Sequence, residues 1–310
     1  MLRKMSGPGI IVLLFMMFLL AALPGCGNRS PSGETEGNKP TIKVGSKDFT
    51  ESLILGELYG LALEDAGYKV ERKLNLGSAI VHNALISGEI DFYPEYTGTG
   101  LLTILKESPR FDSQDVYHEV AGKYKEKFNL IWLDRSSASD SQGLVITKQA
   151  AGLYNIRTIS DLQKSAGNIR FASQGQFDER SDGLPALVTV YGDFPFKEHK
   201  LYDNGIKYEV LRNDKADLAV AYTTEGELSN DEFVVLEDDK HAWPPYNIAP
   251  VIRQEVLEKN PEVKNILNQI TAKLDGKTVT GLNAEVDSKK REYSEVAREF
   301  FAKVKRELLR

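Results

Sequence analysis

The sequence predicts an α/β protein whose chain builds one lobe, builds a second and returns to the first. Three observations carry this. From Thr41 short β-like runs alternate with helical patterns, as expected of strands joined by crossover helices in largely parallel sheets. The alternation starts afresh after Gln142. After Pro250 the pattern is mostly helical, and those helices need a sheet to cover, which the N-terminal half supplies.

The elements follow in order. Thr41 to Gly45 forms the first strand, and Leu53, Leu58, Leu61 and Ala62 make one stripe of a helix over Thr50 to Asp65. A strand over Tyr68 to Leu74 leads to a helix over Ser78 to Ser87, and Glu89 to Tyr93 supplies a third strand. In the second round a strand over Gly143 to Thr147 precedes a helix from Ser160. A strand over Ile169 to Ala172, a helix over Gly183 to Tyr191 and a strand over Leu218 to Tyr222 complete it. Pro244 and Pro245 break the pattern before Tyr246. Val256, Val263, Ile266, Leu267 and Ile270 then recur at helical spacing, and a charged helix runs from about Ser288. No period of about 20 to 50 residues repeats, so a solenoid is excluded.

Composition narrows the function. The chain has 310 residues, room for two average domains. With 41% hydrophobic and 27% charged residues, neither wholesale disorder nor a polytopic membrane protein fits. The net charge of −6 opposes non-specific nucleic-acid binding, which needs cations to neutralise phosphates. One cysteine permits no internal disulfide and no cysteine metal cluster.

Arg3 and Lys4 precede an apolar run from Ile10 to Leu23, too short to cross the hydrocarbon core as a helix. Residues 1–25 therefore have the form of a secretory signal. Cys26, directly after Leu23-Pro24-Gly25, resembles the acylated cysteine of a bacterial lipobox; the competing reading is a free structural cysteine. Residues 26–40 carry Gly, Ser, Pro and charge without large apolar side chains, the composition of a flexible tether. The expected location is the extracytoplasmic face of a bacterial cell membrane, through a lipid anchor.

Enzyme signatures are sparse. There is no GxSxG elbow, no GxxxxGK[ST] loop and no HExxH helix. His82, His118, His199 and His241 lack ligand-like spacing. Glu237-Asp238-Asp239 has no glycine-punctuated loop around it. Neither a metal nor a cofactor is expected.

Tyrosines stand out instead. Tyr93 and Tyr96 in YPEYTGTG, Tyr222 in AYTTEG and Tyr246 in PPYN fall where strands should end, beside Gly and Pro. Sheet ends are where α/β crevices form. Tyrosine faces carry a negative quadrupole that attracts a quaternary ammonium group; alternatively, these amphipathic rings cap the edge of the core.

GSKDFTES, YPEYTGTG, FxxRxDGLPAL, AYTTEG, LEDDKHAWPPYNIAPV and LNAEVD, in this order, resemble the solute-binding subunits of osmoprotectant ABC importers for glycine betaine, carnitine and choline. The likeness runs from Thr41 to Arg310. It implies a two-lobed fold like that of type II periplasmic binding proteins, with two hinge strands. Residues 41–139 and 248–310 would form lobe 1, and 140–247 lobe 2 including the hinges. It also implies a quaternary ammonium ligand, no catalysis, and partnership with an ABC permease and its ATPase.

Carried over by motif, Tyr96, Tyr222 and Tyr246 match cage positions for the ammonium, while Lys47, Thr99 and Arg180 match a carboxylate clamp. The residues suit these roles. Lys47 precedes a helix start marked by Asp48 and Thr50, where free N–H groups favour an anion. Thr99 lies between Gly98 and Gly100, so backbone can approach closely. Arg180 can grip a carboxylate with two parallel bonds. Surface salt bridges of Lys47 to Glu51 and of Arg180 to Asp182 are the alternative.

One position departs from the pattern. Where relatives tend to have a fourth cage tyrosine, this chain has Ser139-Asp140-Ser141-Gln142. Asp140 remains available, but Gln142 has no aromatic face. A missing cation–π contact forfeits about 0.5 to 2 kcal/mol, unless Gln142 hydrogen-bonds a polar part of a different solute such as carnitine or a histidine betaine. Two other readings stay open: a secreted α/β hydrolase using Asp182 or Glu225 as acid or base, and a sensory or adhesive lipoprotein that kept the fold without transport.

Overall fold

The computed structural model describes residues 39–229 and 231–308; the expected signal, Cys26 and most of the tether lie outside the described residues. Among these residues the chain forms two five-stranded sheets with helices on their faces.

The first round comprises β1 (Thr41–Lys47), α1 (Thr50–Asp65), β2 (Lys69–Leu76), α2 (Ser78–Ser87) and β3 (Phe92–Tyr96). Both helices have the bounds their apolar spacing predicts. Helix α1 buries Ile54, Leu55, Leu58, Tyr59 and Leu63, and α2 stops at Gly88, whose φ of 76° gives the left-handed cap that glycine adopts without strain. A single turn α3 (Thr97–Thr99), a π-helical turn over Gly100–Ile104, α4 (Ser113–Phe128) and β4 (Leu130–Trp132) follow. The Asp112 carboxylate caps α4 by accepting the N–H groups of Gln114 and Asp115.

The chain then crosses. It lays down β5 (Gln142–Thr147), α5 (Lys148–Tyr154), α6 (Ile159–Ser165), β6 (Arg170–Ser173), α7 (Gly175–Glu179), α8 (Leu184–Tyr191) and β7 (Glu198–Leu201). Helix α9 (Lys207–Arg212), β8 (Leu218–Tyr222), a 3₁₀ turn over Gly226–Ser229 and β9 (Phe233–Val235) complete this part. The chain returns as β10 (Ile248–Arg253), and α10 (Gln254–Lys259), α11 (Glu262–Thr271), α12 (Gly276–Asp287) and α13 (Tyr293–Leu308) end it.

The strand orders are β2-β1-β3-β10-β4 and β7-β6-β8-β5-β9. The sheets are mixed, not largely parallel as the alternation predicts: β10 runs antiparallel to β3 and β4, and β5 antiparallel to β8 and β9. The reason is topological. Each antiparallel strand enters its sheet from the other lobe, so it runs against strands that crossover helices have aligned. The two crossing segments touch at one antiparallel bridge, Ser139 with Asn247, and the Asn247 side-chain amide donates to the carbonyls of Ser136 and Ala138, both at 3.2 Å.

Strand β10 lies in the stretch expected to be helical after Pro250. Pro250 pairs directly with Pro94 of β3. Because Thr97 N–H bonds the Asn247 carbonyl, this register puts the two prolines at a non-hydrogen-bonded position, where β3 and β10 exchange no N–H. A second correction concerns the last helix: α12 continues to Asp287, and α13 begins at Tyr293, not near Ser288. Lys290, with φ of 57°, sits in the left-handed region between them and cannot continue a right-handed helix.

Each sheet is packed on both faces. In lobe 1, Ile42, Val44, Phe92, Ile248 and Ile252 meet α1 and the C-terminal helices, while Tyr93, Ala249 and Val251 meet α2 and α4 on the other side. In lobe 2, Leu144, Ile146, Leu218 and Val220 face Phe177, Leu187 and Trp243.

Candidate functional site

Of the singled-out tyrosines, Tyr96 and Tyr222 finish strands, whereas Tyr93 and Tyr246 do not. Tyr93 lies inside β3 and is sealed in the core, its hydroxyl donating to Glu95 at 2.7 Å. Tyr96, the last residue of β3, is 3% exposed and donates to Glu51 Oε1 at 2.7 Å. Tyr222, the last residue of β8, is half-buried; burial pushes its phenol up to about 12. Tyr246, on the returning segment, is 3% exposed and donates to Asp182 Oδ2 at 2.6 Å.

Arg180 and Asp182 sit in the loop between α7 and α8. The guanidinium bonds Asp182 through Nε at 2.7 Å and Nη2 at 2.6 Å. Burial opposes the charge on Asp182, but Arg180 and the Tyr246 hydroxyl outweigh it and hold the carboxyl below its ordinary range. Arg180 and Asp182, together with Leu102, Thr103 and Lys106 of lobe 1, line a cleft of about 580 Å³. Below Tyr246, a β-carbon on Gly98 would stand 2.7 Å from the ring. Thr99 is half-buried in the same turn.

Lys47 ends β1, and its Nζ donates to Glu95 Oε1 at 2.5 Å while lying 4.8 Å from the Tyr96 ring centroid. Its partner is therefore Glu95 on neighbouring β3, not Glu51. The expected side-chain cap on the following helix is absent: Phe49 holds the N-cap position, and Thr50 instead donates to Asp287 at 2.6 Å. For Arg180 the alternative partner Asp182 is the one present.

Gln142 opens β5 directly opposite Tyr222. It is 4% exposed, and its Oε1 is buried without a hydrogen-bond partner among the described residues. Asp140, two residues earlier, is half-buried and accepts the Thr224 N–H at 3.3 Å. Burial, reinforced by the charge of Glu51, pushes the Asp140 carboxyl well above its ordinary range. Glu51 accepts Tyr96 O–H, Thr224 O–H at 2.5 Å and the Asn283 amide at 3.0 Å. Its pKa is raised by burial, against those three donors.

The fold thus brings Tyr96, Asp140, Gln142 and Tyr222 to one end of the two sheets, with Tyr246 joined to Arg180 through Asp182. Lys207 completes the polar wall, paired with Glu225 and 5.4 Å from the Tyr222 ring centroid. Motif reading passed over Glu95, Thr224 and Asn283. It saw Glu51 only as a surface partner for Lys47, and Asp182 and Glu225 mainly as acid or base candidates. The trace of this in the sequence was Glu51, a glutamate in the first turn of α1 directly before the run Ser52-Leu53-Ile54-Leu55.

A family model described as the substrate binding domain of ABC-type glycine betaine transport systems matches residues 40–303. The carnitine transport binding protein OpuCC of Listeria monocytogenes is 32% identical over 299 residues, covering 95% of this chain and 94% of its own. The ergothioneine transport permease and binding protein EgtU of Helicobacter pylori is 32% identical over 268 residues, 86% of this chain and 48% of that protein. A crystal structure of a glycine betaine/carnitine/choline ABC transporter protein superposes with a TM-score of 0.75 at 32% identity, covering 84% of this chain and 98% of that one.

Proposed function

The chain belongs to the family of substrate-binding domains of ABC-type glycine betaine transport systems, with the two-lobed α/β fold of type II periplasmic binding proteins, and from that premise we propose how it captures its solute. A compact quaternary ammonium compound of the glycine betaine, carnitine and choline class is held by the faces of Tyr96, Tyr222 and Tyr246. Lys47, Thr99 and Arg180 receive the carboxylate of a zwitterionic solute. Residues 41–139 with 248–310 move as one lobe and 140–247 as the other, hinged at the crossing segments. The loaded protein delivers its solute to a membrane permease driven by an ATPase, tethered on the extracytoplasmic face through Cys26, and performs no catalysis.

One observation carries this reading: tyrosines from both sheets and from the returning segment share the same carboxylates, Asp140 acting on Tyr96 and Tyr222 and Asp182 on Tyr222 and Tyr246, and the hydroxyls of Tyr96 and Tyr246 are pinned by buried Glu51 and Asp182. Fixed rings offer their faces with little entropy left to lose on binding. Arg180 spends two N–H groups on Asp182, leaving donors of its five for a ligand. The unpartnered Gln142 Oε1 favours a second reading within the class: a solute that also carries an O–H or N–H donor, such as carnitine or a histidine betaine.

Calorimetric titration with glycine betaine, carnitine, choline and a histidine betaine tests both. Binding of at least one, weakened about tenfold or more by Tyr222→Ala and by Tyr246→Ala, is expected from cation–π contacts of up to about 2 kcal/mol. Unchanged affinity in both variants removes the cage. Equal affinity for donor-bearing and donor-free solutes removes the second reading.

A further inference from the structure

The charges around the crevice are not evenly matched. Among the described residues Lys47 pairs with Glu95, Lys207 with Glu225 and Arg180 with Asp182. Among the same residues Glu51 and Asp140 have no cation at ion-pair distance. Their surroundings differ. Glu51 is 3% exposed and met by three donors, which suits an ionised carboxylate. Asp140 is half-buried and, among the described residues, receives side-chain hydrogen bonds from Thr224 alone, so it is the one of the two that keeps surface a solute can reach. Its charge bears on the phenols of both Tyr96 and Tyr222.

An independent feature points to a ligand at this spot. Gln142 follows Asp140 by two residues and stands opposite Tyr222, with a buried acceptor that no described residue satisfies. Such a group costs free energy unless a donor reaches it.

We infer that Glu51 and Asp140 are the counter-charge for the solute's ammonium, and that the pair holds one proton which the arriving cation expels. This rests on the reading of the site as a quaternary ammonium receptor. Two carboxylates in a low-dielectric crevice do not both ionise readily when no cation is near. Burial raises both, and the like charges add to it: Glu225 from the turn after β8 acts on Asp140, and Asp287 from α12 acts on Glu51. When the fixed positive charge seats between Tyr96 and Tyr222, the Asp140 O–H bond breaks, its proton passes to solvent buffer, and the charge inside the crevice is unchanged. No bond to the solute forms.

The sign follows. A group whose pKa falls on binding releases its proton, so affinity rises with pH through the window below the free pair's raised pKa, by up to about tenfold per unit for one proton. Above that window it is flat.

The full chain is titrated with choline and glycine betaine in buffers of different ionisation enthalpy, and again with the uncharged carbon isostere of choline. The expected result is a binding enthalpy that tracks buffer enthalpy with a slope approaching one released proton for both cations. The isostere should bind at least about tenfold more weakly and release none. Asp140→Asn, which keeps the Thr224 N–H acceptor, should abolish the slope; Glu51→Gln should reduce it. If neither variant folds, the wild-type slopes and the isostere decide alone. Cation binding with no proton release between about pH 5 and 9, or isostere binding as tight as choline, overturns the inference and leaves the receptor reading standing. Failure of every quaternary ammonium compound to bind overturns both.

Discussion

A β-carbon at Gly98 would stand 2.7 Å from atoms of the Tyr246 ring, so glycine alone lets that ring lie against the turn. Gly98→Ala is expected to displace the ring, to cost about 1 to 3 kcal/mol as other overpacked sites do, and to weaken ammonium binding; melting and titration of the same sample check it. Tyr246→Phe removes only the hydroxyl that reaches Asp182, so it should lose less affinity for choline than Tyr246→Ala does. His82 gives a pH prediction. Both ring nitrogens are buried without hydrogen-bond partners among the described residues, and burial holds the imidazole below its ordinary range. The unfolded chain therefore takes up a proton that the folded protein refuses as pH drops through about 6.5, and stability is lost there. Melting temperatures from about pH 8 to 5 should fall less steeply in His82→Phe than in the wild type, and parallel curves would refute this.

Between elements, the contact of α12 with the 3₁₀ turn after β8 has no slack. A β-carbon on Gly226 would come within 2.5 Å of the Ala284 backbone nitrogen, and neighbouring Thr224 bridges the lobes by donating to Glu51 and accepting Asn283 through its carbonyl at 2.8 Å. Gly226→Ala should force the turn off α12 and hold the lobes apart, seen as a larger radius of gyration in solution scattering together with lower affinity. Thr224→Val deprives buried Glu51 of one donor, a loss of about 1 to 3 kcal/mol, and should weaken binding in the same direction. An unchanged radius and affinity in both variants would show that this contact does not govern closure. The helices α1 and α2 were legible to the residue, α2 stopping at Gly88 and α1 two residues before Gly67, where a positive φ that glycine adopts without strain ends the helix. Strand β10 was not, because proline argues against a central strand and only the opposing Pro94 makes the position harmless.

For the whole molecule, the outstanding expectation concerns attachment. Cys26→Ser should leave the folded body intact and release it from membranes, since a chain without acyl groups has very little affinity for a bilayer; unchanged retention in the membrane fraction after signal cleavage would rule out the lipid anchor. The sequence by itself determined the α/β class, the order of most elements, the return of the chain to its first lobe and the tyrosine that ends β8, because periodicity and turn chemistry are local and survive without tertiary knowledge; it ended the third strand at Tyr93, whereas β3 runs on to Tyr96. Only the tertiary structure decided the antiparallel entry of β5 and β10, the engagement of Lys47 by Glu95, and the joining of Glu51 and Asp140 through Thr224. Those depend on which residues distant in the chain share one low-dielectric crevice. Charge and hydrogen bonding there are set by burial and by neighbours as far as 173 positions away, as Thr224 is from Glu51, and no local spacing encodes them.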